Sequence, residues 1–99
     1  MPLTHHQIRE IVVECLYQTL GDELHNVILT DKIDPINNLG LESCDGLVFA
    51  ITLSEKLPFQ IPKSINPLVD DKRKRGRKVG QIVDFIYNLM LAQEEEVNA

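Results

Sequence analysis

The chain has 99 residues, enough for one domain with a modest hydrophobic core and too few for a two-lobed enzyme. Hydrophobic residues make up 43% and charged residues 25%, a composition typical of globular proteins that excludes global disorder. The formal net charge is −5. Two cysteines are too few for a disulfide scaffold, and the absence of tryptophan argues against a base-stacking platform.

The N-terminus is not expected to be a secretory signal, because no basic start is followed by an apolar stretch there. The longest apolar run, residues 47–51, is far shorter than a membrane span. Together with the low cysteine content, these features predict a cytoplasmic protein without a transmembrane segment.

The first predicted element is a helix over residues 4–20. Thr4 and Gln7 have the spacing of a capping box, and Gly21 suits the left-handed exit from a helix. The apolar residues recur at helical spacing and share one face: Ile8, Ile11, Val12, Cys15 and Leu16. We therefore expect this face, Cys15 included, to be buried in the core.

Residues 21–41 form a long connection with turn chemistry and no clear periodicity. Apolar residues along it predict an ordered loop held against the core: Val27, Ile28, Leu29, Ile33, Ile36, Leu39 and Leu41.

A second helix is predicted to begin at Glu42 or Ser43 and to end at Leu57, because Pro58 disfavours a helical residue before it. Its apolar residues occupy more than one face, which predicts an internal cavity or a partner surface. We expect three of them, Leu47, Ile51 and Leu57, to face the core or that cavity. Val48 is expected to face a partner.

The C-terminal half is expected to contain an extended segment over residues 58–62, a short helical turn from Asn66 and a last helix over residues 78–91. Residues 1–92 would form the domain, and residues 93–99 a frayed acidic end. No segment predicts a strand. The predicted fold is therefore all-α, a four-helix bundle with a long ordered first loop and a short third helix.

Six of the ten bases lie in the basic segment, residues 72–78: Lys72, Arg73, Lys74, Arg75, Arg77 and Lys78. The remainder of the chain carries 15 acids and four bases, a net charge of −11. The dense like charge predicts an exposed, mobile loop that contributes little to the fold. Three roles are compatible with this segment: it could select a partner, bind nucleic acid, or offset the negative charge of the remaining residues. The net charge of −11 on those residues would repel a nucleic acid, which disfavours the second role.

Ser43 lies where the second predicted helix begins, in the segment Leu39-Gly40-Leu41-Glu42-Ser43-Cys44-Asp45-Gly46-Leu47. The unpaired amides and dipole of a helix N-terminus favour an anion there, such as a phosphodiester on the serine. The simpler interpretation from position alone is that Ser43 or Glu42 caps the helix.

Three segments in order resemble motifs of the acyl carrier proteins. Residues 39–43 resemble the approach to the family's Asp-Ser-Leu motif, and Leu57-Pro58-Phe59-Gln60-Ile61-Pro62 resembles the exit of its second helix. Lys78-Val79-Gly80-Gln81-Ile82-Val83-Asp84-Phe85-Ile86 resembles the start of its last helix. The resemblance extends from the first helix to Ile86. Glu42 stands for the usual Asp and Cys44 for the usual Leu, so the motif is atypical.

The resemblance implies a monomeric, non-enzymatic carrier of acyl intermediates for fatty acid, lipid or polyketide-type synthesis. Its cofactor would be 4′-phosphopantetheine, transferred from coenzyme A to Ser43 by a phosphopantetheinyl transferase, and its other partners would be acyl-loading and acyl-transfer enzymes. Residues expected to contact partners are Glu42, Cys44, Asp45, Val48, Glu55 and the six bases of the basic segment. Residues expected to line an acyl cavity are Leu47, Ile51, Leu57, Phe59, Ile61, Ile82 and Ile86.

Two other functions stay open on these residues: a carrier of aminoacyl or peptidyl groups, and a helical module that binds nucleic acid through residues 72–78. No catalytic or metal site is expected. The histidines show no pairing with Ser43 or Cys44 that would predict a nucleophile and its base. They are expected to be solvated, His5 and His6 at one end and His25 in a loop.

Overall fold

The computed structural model describes residues 3–24 and 26–98, so His25 lies outside the described residues. This part of the chain forms four α-helices and one small antiparallel hairpin: α1 (His5–Leu20), α2 (Pro35–Leu39), α3 (Asp45–Lys56), β1 (Val69–Asp70), β2 (Arg75–Gly76) and α4 (Val79–Asn98). The mostly helical architecture agrees with the all-α prediction. The hairpin was not predicted, because strands of two residues are too short to show an alternating pattern.

The core lies between α1, α3 and α4, and α1 packs against both of the other helices. Its fully or nearly fully buried side chains are Ile8, Val12, Cys15 and Leu16 from α1, Phe49, Ala50 and Leu53 from α3, and Val79, Ile82, Val83, Ile86 and Met90 from α4. Leu29, Leu57, Ile61 and Leu68 complete it from the connections. The predicted buried face of α1 is confirmed except at Ile11, which is half-buried at its edge.

The predicted boundaries of α1 are confirmed by its hydrogen bonds. Thr4 Oγ1 accepts from the Gln7 amide at 3.1 Å, and Gln7 Oε1 accepts from the Thr4 amide at 2.9 Å. Gly21 ends the helix with a φ of 83°, a conformation that favours glycine. A short 3-10 turn follows at Asp22–Leu24.

The long first connection is held in place by polar contacts as well as by apolar burial. Arg9 of α1 forms an ion pair with Asp31, and the Tyr17 hydroxyl donates to the Val27 carbonyl. Leu29 is buried, as predicted. Ile28 was also predicted to contact the core, but it is 78% exposed. The other five predicted anchors are partly buried against the core, namely Val27, Ile33, Ile36, Leu39 and Leu41, so the prediction fails only at Ile28.

The end of the first connection contains the unpredicted helix α2. The Asp34 carboxylate accepts from the amides of Ile36 and Asn37 at 3.0 and 3.1 Å, and Pro35 occupies the favoured first position. Gly40 ends the helix in the left-handed region, with φ 77°. These are ordinary capping signals, but a helix of five residues is too short to show a periodic apolar pattern in the sequence.

The short helix expected from Asn66 is absent from the described residues; a turn replaces it. Asn66 Oδ1 accepts from the Leu68 amide at 3.0 Å, a local bond that competes with helix formation. The backbone then enters the hairpin, in which Val69 pairs with Gly76. The fold thus has four helices in the described residues, as predicted, but the short helix precedes α3, whereas the prediction placed it after that helix.

The basic segment is exposed at five of its six bases, as predicted, but it includes strand β2 and a hydrogen-bonded turn where an irregular loop was expected. Asp70 Oδ1 accepts from the amides of Lys72 and Arg73 at 3.1 and 3.3 Å, which closes the turn between β1 and β2. The Arg77 amide donates to the Leu68 carbonyl at 2.8 Å. Hydrogen bonds from its backbone amides to Asp70 Oδ1 and the Leu68 carbonyl therefore give the segment a defined conformation despite its like charges.

Arg77 departs furthest from the prediction, because its side chain is half-buried. Its guanidinium carbon lies 3.8 Å from the centre of the Phe85 ring. Nη1 donates to the carbonyls of Asn66 and Pro67 at 3.2 and 3.3 Å. Burial lowers the pKa of this guanidinium. Arg77 therefore packs as a structural residue of the fold, unlike the exposed bases of the segment.

We expect Arg77→Gln to lower the free energy of unfolding by about 1–2 kcal/mol, because it removes the contact with Phe85 and the carbonyl bonds. A control variant replaces the five exposed bases by Gln: Lys72, Arg73, Lys74, Arg75 and Lys78. Its stability should stay within about 0.5 kcal/mol of the wild type. Urea unfolding followed by circular dichroism measures both, and equal losses would contradict the special role of Arg77.

The last helix is longer than predicted. It continues to Asn98 instead of ending near Leu91, and Gln93 Nε2 donates to the Gln60 carbonyl at 3.1 Å. The helix therefore includes residues 93–98, which were predicted to lie beyond it, while Ala99 lies outside the described residues. Among the helices described, none has the length and apolar content needed to cross a membrane.

Candidate functional site

Ser43 lies on an exposed turn directly before α3. In the described part of the chain its hydroxyl makes no hydrogen bond, and the N-cap position belongs to Cys44, whose side chain caps nothing. The interpretation of Ser43 as a helix cap is therefore wrong. The serine hydroxyl is accessible and uncommitted.

The first turn of α3 is tighter than an α-helix. The amides of Asp45, Gly46 and Leu47 donate to the carbonyls of residues 42, 43 and 44, at 3.0, 3.1 and 3.3 Å. These amides are consequently engaged within the turn and are not the free anion-binding groups expected from sequence. A charge on Ser43 would have to be balanced by other groups.

Asn66 holds the Ser43 turn in place from across the chain, and sequence reasoning did not identify it in this role. Its Nδ2 donates to the Ser43 carbonyl at 2.7 Å while Oδ1 accepts from the Leu68 amide. The side chain lies where a Cβ of Gly46 would collide with it. The only signal in the sequence was the glycine in the first turn of a predicted helix.

Gly46→Ala should lower stability by about 1 kcal/mol, because displacing the Asn66 carboxamide costs two hydrogen bonds and outweighs the better helix propensity of alanine. In an Asn66→Ala background the same substitution should become neutral or stabilising. A double-mutant cycle in urea measures the coupling. Additive effects of the two changes would show that the contact carries no energy.

The acidic residues next to Ser43 are partly engaged. Asp45 Oδ2 accepts from the Glu42 amide at 2.8 Å, so this carboxylate stabilises the turn. The exposed Cys44 thiol donates to Glu42 Oε2 at 3.4 Å, and this bond raises the thiol pKa. Cys44 is thus poorly suited as a thiolate nucleophile. The Cys15 thiol is buried, which raises its pKa to about 11.

An apolar depression of about 210 Å³ adjoins α3 one turn after Ser43. It is lined by Leu47, Ala50, Ile51, Ser54, Glu55, Gln60, Ile61 and Lys63. Leu47 is 54% exposed and Ile51 53% exposed, so neither faces the core, the first of the two positions predicted for them; both line this depression instead. The residues of α3 that face the core are Phe49, Ala50 and Leu53. Val48 is exposed, as predicted.

The other residues assigned to an acyl cavity are divided by the structure. Leu57, Ile82 and Ile86 are buried in the core and do not line the depression beside α3. Ile61 is buried and lies at the edge of the depression, while Phe59 is half-buried. Ile61 is fixed there because its amide donates to Ser54 Oγ at 2.9 Å. Of the seven residues, only Leu47, Ile51 and Ile61 line this depression.

The predicted partner residues fall into two places. Glu42, Cys44, Val48 and Glu55 are exposed on the Ser43 turn and α3. The hairpin brings Lys74 and Arg75 to the other side of Ser43, where all three line a shallow depression of about 330 Å³. Lys72, Arg73, Arg77 and Lys78 do not line it. No protein-family model matches the chain, and no solved structure is matched by it.

Proposed function

We propose that the protein is a carrier that holds acyl intermediates as thioesters on 4′-phosphopantetheine attached to Ser43. The observation that carries the proposal is the exposed Ser43 hydroxyl, which has no hydrogen-bond partner in the described chain and occupies an ordered turn. An ordered turn with a free hydroxyl suits attachment, because a modifying enzyme must reach the oxygen in a reproducible backbone conformation.

The residues around Ser43 fit a long polar arm with an apolar cargo. Nothing in the described structure covers the hydroxyl, and the apolar depression lined by Leu47, Ile51 and Ile61 begins one helical turn away. The bound group would supply a terminal thiol for thioester formation. The protein itself would supply a rigid attachment point and the surface that partner enzymes contact.

Attachment is a phosphoryl-transfer reaction on the chain. The Ser43 Oγ–phosphorus bond forms, the phosphoanhydride bond of coenzyme A breaks, adenosine bisphosphate leaves, and the serine proton passes to a base of the transferase. The Glu42 carboxylate accepts a hydrogen bond from the Cys44 thiol, and the Asp45 carboxylate accepts one from the Glu42 amide. This supports a separate enzyme as the source of that base.

Incubation with coenzyme A and a broad-specificity phosphopantetheinyl transferase tests the proposal. Intact-mass spectrometry should show one added phosphopantetheine per chain, and peptide mapping should place it on Ser43. An unmodified protein, under conditions that modify a standard carrier protein in the same tube, would refute the proposal.

The class of cargo is tested on the modified protein. Loading with acyl thioesters and with activated amino acids by enzymes of each class distinguishes an acyl carrier from an aminoacyl or peptidyl carrier. We expect acyl loading, since four of the eight residues that line the depression near Ser43 are aliphatic: Leu47, Ala50, Ile51 and Ile61. Exclusive aminoacyl loading would assign the protein to nonribosomal synthesis instead.

A further inference from the structure

The hairpin β1–β2 brings two cations to the attachment site. Lys74 and Arg75 line the depression of about 330 Å³ that contains Ser43. Its other lining residues are Ile36, Asn37, Val69 and Gly76, so no described residue that lines it carries a carboxylate. A negative group on Ser43 would therefore lie in a basic and otherwise neutral concavity.

The backbone of the hairpin fixes where these cations lie. Arg75 pairs with Asp70 across the two strands, and Lys74 adopts a left-handed conformation with φ 53° at the end of the turn. The Asp70 carboxylate closes the same turn. The strand ladder holds the backbone at Arg75, and the turn closed by Asp70 leads directly into Lys74, although both side chains are exposed.

The charges of this pair are available to a ligand. In the described part of the chain, neither Lys74 nor Arg75 forms an ion pair. By contrast, Arg73 Nε lies 3.9 Å from Asp70 Oδ2, and Arg77 Nη1 donates to the Asn66 carbonyl. The nearby Asp34 carboxylate accepts three hydrogen bonds from α2. It is committed to capping that helix, and so competes little for the two cations.

A phosphate on Ser43 also lacks the usual partners of a helix N-terminus, because the first amides of α3 are bonded within their own turn. We propose that Lys74 and Arg75 form a phosphate subsite that receives the phosphodiester borne by Ser43. The subsite rests on the proposed function, since it takes Ser43 as the attachment point. It would hold the base of the arm on the hairpin side, while its distal end and cargo are free to reach α3.

The test uses the full chain in two forms and two matched variants. Lys74→Gln with Arg75→Gln removes the subsite. Lys72→Gln with Arg73→Gln removes the same charge from the same hairpin without touching the depression. Backbone amide NMR spectra of unmodified protein are recorded during titration with inorganic phosphate at low ionic strength. The spectra are then compared with those of phosphopantetheinylated protein, whose phosphorus signal is also recorded.

We expect inorganic phosphate to shift the amides of residues 43 and 74–76. Loss of Lys74 and Arg75 should weaken its binding about tenfold, which two exposed ion pairs can supply. The control variant should stay within about twofold of the wild type. In the modified protein the same amides should be shifted, and the phosphorus signal should change in the Lys74/Arg75 variant only.

Each contrary outcome has its own meaning. Equal weakening by both variants would show that net charge alone attracts phosphate, and would overturn the subsite. Modified protein with no shift at residues 74–76 would also overturn it, while leaving the proposed carrier function intact. If Ser43 is never modified, the carrier function fails, and an absence of phosphate shifts at residues 74–76 would remove the subsite as well.

Discussion

Phe49→Ala should lower the free energy of unfolding by about 3–5 kcal/mol, whereas Ile51→Ala should lower it by less than about 1 kcal/mol. Phe49 is fully buried at the centre of the α3 contact with the core, so truncation leaves a cavity. Ile51 is 53% exposed and loses little apolar contact when shortened. The rotation of α3, which buries Phe49 and exposes Ile51, is the main cause of the difference.

Urea unfolding followed by circular dichroism measures both variants, with Val48→Ala as a second exposed control. The expected loss at Phe49 is a large part of the 5–15 kcal/mol typical of a small domain, so Phe49→Leu provides a milder variant if the alanine protein does not fold. Comparable losses at Phe49 and Ile51 would mean that α3 presents a different face to the core.

Ser43→Ala should abolish phosphopantetheine attachment completely and change the free energy of unfolding by less than about 0.5 kcal/mol. The hydroxyl makes no hydrogen bond in the described structure, so its removal should cost no helix cap. Intact-mass spectrometry after incubation with coenzyme A and a transferase measures attachment, and thermal unfolding measures stability.

Cys44→Ser is the matched control for attachment, because it changes the neighbouring residue and retains Ser43. It should be modified as the wild type is, and the double variant with Ser43→Ala should remain unmodified. Modification that persists in Ser43→Ala, or that maps to residue 44, would contradict the assignment of the attachment site.

The local features of the fold were readable because their signals lie within a few residues of each other. The Thr4–Gln7 capping box, Gly21 and the apolar face of α1 predicted the first helix with nearly its observed bounds. Pro58 correctly predicted the end of α3, since its ring restricts the residue before it. The free position of Ser43 was not readable, because serine before a helix usually caps it.

The rotation of α3 depended on tertiary packing. Apolar residues occupy several of its faces, so periodicity alone could not decide whether Phe49 or Ile51 is buried. Packing against α1 and the connections selects Phe49, Ala50 and Leu53, and leaves Leu47 and Ile51 to line a surface depression. The helix boundaries were therefore a property of local sequence, and the buried face a property of the assembled core.

The basic segment shows the same division between local charge and distant contacts. Its sequence determined that Lys72, Lys74 and Arg75 would be exposed, since dense like charges resist burial. Only the tertiary structure placed Arg77 on Phe85 and brought Lys74 and Arg75 beside Ser43, more than 30 residues away along the chain. Short-range patterns report propensity and exposure, whereas these contacts depend on how the hairpin, Asn66 and the start of α3 pack together.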